Sequence, residues 1–161
     1  MTKPYARIRS AAIDGRAQAI MYKIMQLRKL HQVLVKEEEA IEDAIAKDTG
    51  FSAVEVKLEY YMAMKSLRDH IVALDKKKVL DKEYALAHNK DAPENRDAVG
   101  VVIIEPATYT SFYSVISALS AAMAGGNCVL LQVCACIVKY IRLKELTVAS
   151  WKIQCAKHRY Y

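Results

Sequence analysis

Residues 100–132 read GVVIIEPATYTSFYSVISALSAAMAGGNCVLLQ, from Gly100 to Gln132, and this stretch decides the fold. Val101 to Ile104 is a β-branched run with no polar break, as expected of a strand buried on both faces, and Pro106 ends it by withholding a backbone donor. From Ser111 to Ala124 the chain is rich in Ala and Ser, with Phe112, Val115, Ile116, Leu119 and Met123 at three- and four-residue spacing, which predicts a helix lying on a sheet. Gly125 and Gly126 stop that helix. Cys128 to Val133 supplies a second buried strand, and a strand, helix and strand of this length form a right-handed crossover in a parallel α/β sheet.

No charged residue falls between Glu105 and Lys139, so a membrane span must be weighed against a core unit. Gly125, Gly126 and Asn127 divide the apolar run into two pieces, each shorter than the roughly 20 residues a span requires, and the core unit is the better reading.

The same residues resemble the first nucleotide-binding crossover of the aldehyde dehydrogenase superfamily. That pattern is a G-V-hydrophobic strand, a W-N-Y/F-P turn, a small-residue helix ending in A-G-N, and a strand ending V-V-L-K-P-x-E. The match runs without a gap from Gly100 to Gln132, with Gly126-Asn127-Cys128-Val129-Leu130-Leu131 in place of G-N-x-V-V-L. The preceding hundred residues are similar in their order of helices and in the pieces Gln26 to Leu30 and Ala46 to Gly50. The resemblance implies a Rossmann-like nucleotide-binding fold, NAD or NADP as cofactor, and oxidation of a small-molecule aldehyde to a carboxylate. It places Glu105, Pro106, Ala107, Thr108 and Gln132 at the cofactor and Tyr109 at the position of the oxyanion-stabilising asparagine. A one-residue shift puts Thr108 there instead, and neither supplies an amide. Gln132 stands where the family has its ribose-binding lysine. The nucleophilic cysteine and general-base glutamate that the chemistry requires belong to segments not contained in these residues. The expected state is therefore a fragment or degenerate relative with no activity of its own. The alternative is a non-catalytic interaction module or a repurposed small-molecule role.

The 161 residues, 53% hydrophobic, suffice for one domain with a core. They divide into a helical segment and connection at 1–97, the crossover at 98–135 and a divergent basic tail at 136–161. The expected class is α/β: a helical layer followed by an incomplete parallel sheet. Residues 16–48 carry Ile20, Ile24, Leu27, His31, Leu34, Ile41 and Ile45 at helical spacing, broken at Glu37-Glu38-Glu39, so two helices are expected. His31 reads as a core or boundary histidine, since no second ligand-type residue sits at i+3 or i+4. Ser52-Ala53-Val54-Glu55 is a capping-box pattern opening a helix with Tyr60, Met64, Leu67, Ile71 and Leu74 on one face, and Lys76 to Lys78 reads as its basic end. Residues 79–97 read as a surface connection or weak hairpin.

The net charge is +6. Residues 139–161 hold six Lys or Arg and one Glu and so carry +5, which leaves the body nearly neutral and argues against a nucleic-acid footprint. Lys3, Arg7 and Arg9 precede no apolar run of a secretory signal, and four cysteines read as reduced thiols, so a cytoplasmic location is expected. Cys134, Cys136, Cys155 and His158 can be drawn as a zinc set, but the one-residue spacing of the first pair favours unrelated thiols. Open sheet edges, with Val101, Ile103, Val129 and Leu131 partly uncovered, predict self-association or a partner supplying the missing half.

Overall fold

The computed structural model describes residues 4–90, 97–107, 109–133 and 151–155. Its elements are α1 (Pro4–Ile13), a short 3-10 turn (Arg16–Gln18), α2 (Ile20–Lys36), α3 (Glu38–Thr49), α4 (Ala53–Ala73) and α5 (Lys76–Ala87). They continue with β1 (Val101–Ile104), α6 (Ser111–Ala124), β2 (Cys128–Val133) and β3 (Trp151–Cys155). Strands β1 and β2 lie parallel, Val101 opposite Cys128 and Ile104 opposite Leu131, and α6 bridges them as the sequence pattern requires.

Strand β3 lies within residues 136–161, the divergent basic tail of the sequence reading, where no strand was expected. It joins β2 in parallel, Val129 opposite Trp151 and Val133 opposite Cys155, giving the order β1-β2-β3. Trp-Lys-Ile-Gln-Cys alternates apolar and polar residues, a strand signature that the surrounding lysines and arginines obscure. The cysteines at 134 and 136 and His158 lie outside the described residues. Among the described residues no cluster of His, Cys, Asp and Glu could hold a metal.

The break expected at the glutamates is present. Glu37 leaves helical geometry (φ −102°, ψ 21°) between α2 and α3, and Gly50, left-handed at φ 69°, ends α3 with its N–H donating to Ala46 O at 2.9 Å. At the start of α4 the Ser52 N–H and hydroxyl both donate to Glu55 Oε2, at 2.8 and 2.7 Å. These bonds hold the Glu55 carboxyl below its ordinary value. A carboxylate with a depressed folded pKa stabilises the fold above its unfolded pKa, and the contribution disappears as pH falls through the folded value. Thermal melts should therefore show that Ser52→Ala lowers the melting temperature near neutral pH, with the difference from the parent closing as the pH drops well below 4.

Two helices went unread in the sequence. Lys76 to Lys78 do not close α4, which ends at Ala73; they open α5. Asp75 accepts from Lys77 N at 2.9 Å and supplies the N-terminal partner that makes a new helix there possible. Residues 76–87 are thus helical where a connection or hairpin was expected. Helix α1 packs on all three strands.

The core explains why the sheet is better covered than its small size suggests. Phe112, Val115, Ile116, Leu119 and Met123 of α6 are buried with Leu27, Leu30 and Leu34 of α2, Val56, Tyr60, Ala63, Met64 and Leu67 of α4, and Ile104, Val129 and Leu131 of the sheet. On the opposite sheet face Ile8 of α1 and Ala17 pack with Cys128 and Leu130, and Ala11, Ala12 and Val101 join them partly buried. Val129 and Leu131 are therefore buried, contrary to the expected partial exposure, because helices lie on both faces. Val101 is half-buried and Ile103 remains 58% exposed, which fits an open sheet edge. This corrects the expectation of a β1 buried on both faces: only Ile104 of the strand is buried, because β1 ends the sheet order among the described strands. No helix among the described residues is long and apolar enough to cross a membrane.

Candidate functional site

The strand register brings two of the sequence-derived positions to one end of the sheet. Ile104 pairs with Leu131, so Glu105 and Gln132, each one residue further on, reach the same C-terminal edge. Ligands of open α/β sheets bind outside this edge. Glu105 and Ala107 are exposed and Pro106 is half-buried. Thr108 and the side chain of Gln132 lie outside the described structure.

Tyr109 is 70% exposed and its ring meets Phe51 edge-on, with centroids 5.6 Å apart. Its phenol carries one donor and offers no amide NH2 of the kind that the resemblance implies at this position. Thr110 follows in left-handed geometry (φ 49°), an uncommon conformation for a β-branched residue, and caps α6 without a side-chain bond. The cap comes instead from far away in sequence. Glu59 of α4, 5% exposed, accepts the Tyr113 N–H at 3.1 Å through Oε1, while Oε2 is buried without a hydrogen-bond partner. The free amides of a helix N-terminus need acceptors, and a Glu59 carboxyl oxygen already serves one of them.

This arrangement tests the cofactor expectation. The Tyr113 N–H is taken by Glu59 and the Ala107 N–H donates to Ser114 Oγ at 3.2 Å. The stretch from Glu105 to Ala124 contains no lysine or arginine. A pyrophosphate placed here would meet two committed amides and two carboxylates, Glu59 and Glu105, with no cation from this stretch. The residues at the β1–α6 turn do not fit that group.

The other end of the crossover is tightly tied. Asn127 Oδ1 accepts from Gly100 N at 3.1 Å, its Nδ2 donates to Ala122 O at 3.3 Å, and Cys128 N donates to Gly100 O at 2.8 Å. One side chain thus joins the start of β1 to the last turn of α6. The resemblance had singled out this asparagine only as a motif letter, and the structure shows its work as mechanical. Burial raises the pKa of the Cys128 thiol and keeps it from nucleophilic use.

One further group has the residue types of a nucleophilic pair. His70 Nδ1 lies 3.0 Å from Ser120 Oγ, but Ser120 is fully buried and donates its proton to Ser117 O at 3.0 Å. Its oxygen therefore accepts from His70, the reverse of base activation. With Ser66 donating to Ser117 Oγ at 3.1 Å, the cluster is a polar seam between α4 and α6. His31 is half-buried, and burial together with the Arg68 charge lowers its pKa.

Sequence reasoning missed Glu59, Gln26 and Lys23. Glu59 and Gln26 are both buried polar residues on helix stripes, and a polar residue in a core register is the signal that identifies them. No protein-family model matches the chain, and no curated protein matches it either.

Proposed function

We propose that residues 1–161 form the helical layer and first crossover of a Rossmann-like scaffold of the aldehyde dehydrogenase kind, cytoplasmic, and without dehydrogenase activity by itself. The observation that supports this reading is the occupied turn between the C-terminal end of β1 and the N-terminus of α6. The amides there serve Glu59 and Ser114, and a tyrosine stands where an oxyanion amide is needed. Losing an oxyanion donor alone costs about 10²- to 10³-fold in rate, and a missing nucleophile removes the covalent route altogether.

The chain with an aldehyde and NAD or NADP should give no rise in absorbance of the reduced cofactor. Calorimetric titration should find no micromolar binding of either dinucleotide. Micromolar affinity that Gln132→Ala abolishes would overturn the reading, because it would place a working ribose contact at the end of β2.

A second reading, an interaction module that pairs with another copy or with a missing half, is favoured by the margin of β1. Val99 is 87% and Ile103 58% exposed, and β1 ends the sheet order among the described strands. Light scattering that finds only monomer across a wide concentration range removes this second reading.

A further inference from the structure

Where the 3-10 turn, α2 and the Gly125–Asn127 turn meet, a small cavity of about 10 Å³ is lined by Ala17, Tyr22, Lys23, Gln26, Met123 and Asn127. By this measure one water needs about 10–15 Å³, together with two to four polar partners. The walls offer such partners. Gln26 is 5% exposed, and its Oε1 is buried and accepts no hydrogen bond. Lys23 Nζ and Ala17 O converge over Gly126, within 2.9 and 3.2 Å of the point where a Cβ on that glycine would stand. Asn127 Oδ1 accepts one bond and its Nδ2 donates one.

A buried amide oxygen left without a donor costs about 1–3 kcal/mol. An apolar void of this size would stay dry, but a void bearing an orphan acceptor and an ammonium donor would not. We infer that this cavity is a binding site for one ordered water, donating to Gln26 Oε1 and accepting from Lys23 Nζ, which fastens α2 to the turn that ends α6. The site is independent of the β1–α6 edge and of any cofactor. Burial lowers the pKa of Lys23, in keeping with a partly desolvated amine.

The test uses the whole chain. A high-resolution crystal structure should show a density peak within about 3 Å of Gln26 Oε1 and of Lys23 Nζ. In solution, water-oxygen magnetic relaxation dispersion should count one fewer long-lived water in Gln26→Leu than in the parent. If Gln26→Leu does not fold, Lys23→Met removes the donor instead and should give the same loss of one water. A cavity without density, or an unchanged count of long-lived waters in the folded variant, overturns the inference.

Discussion

Glu59→Ala is expected to destabilise the protein by about 2–4 kcal/mol, a large share of the stability of a domain this size. Two effects add. The substitution leaves the Tyr113 N–H without its acceptor at the start of α6, and it opens a void in a position that is 5% exposed. Helix α6 has no local substitute, since Thr110 makes no side-chain cap. Glu59→Gln keeps an oxygen acceptor and nearly the same volume but sets an amide NH2 where Oε2 is buried without a partner, so it should cost less than the alanine, about 1–3 kcal/mol. Denaturant melts give both values, and hydrogen exchange at the Tyr113 amide gives the local readout. An alanine variant as stable as the parent, with unchanged exchange at Tyr113, would show that α6 does not depend on this carboxylate.

Gly126→Ala should be comparably severe, about 2–4 kcal/mol, for reasons that can be separated. Gly126 sits at φ 80°, where an L-residue pays about 1–2 kcal/mol. Its added Cβ would also stand 2.8 Å from Lys23 Cε and 3.2 Å from the Ala17 carbonyl oxygen. The lysine end can swing away; the carbonyl belongs to the 3-10 turn and moves only with its backbone. Adding Lys23→Ala should therefore recover part of the loss and no more. Gly50→Ala is the control: it is strained at φ 69° but has nothing within 4 Å of a new Cβ, so it should cost about 1 kcal/mol. Equal losses at the two glycines would show that the close approach at Gly126 is of no consequence.

The crossover was legible because every signal in it agreed. The five large residues of α6 occupy one stripe and all five are buried, and the paired glycines mark the reversal into a parallel strand. Elsewhere a local pattern pointed the wrong way. Three lysines after α4 suit a helix end, and only the Asp75 side chain, by capping the next helix, converts them into a beginning. Trp151 to Cys155 alternates like a strand, but its neighbours' charges dominated the reading of the tail. Helix α1 has few large apolar residues, and what it covers lies far along the chain.

Of the candidate site, the positions of two residues in the sheet follow from the sequence pattern. Strand register alone brings Glu105 and Gln132 to one edge. One amide beside that edge is held by Glu59, 54 residues before it. No local period reports a contact of that span; only the presence of a carboxylate in a buried helix register hints at it.

The docking of α1 on the sheet has a consequence for how the chain is made. Ile8 packs with Cys128 and Leu130, so α1 cannot find its seat until β2 has been made. Helices α2, α3 and α4 contact one another over short sequence separations and can gather early. Throughout that interval Ile8, Ala11 and Ala12 wait in solvent. The sheet, once formed, offers Cys128 and Leu130 to whatever arrives first. Shielding α1 during synthesis is thus a timing problem, and a chaperone that holds it until β2 emerges would solve it.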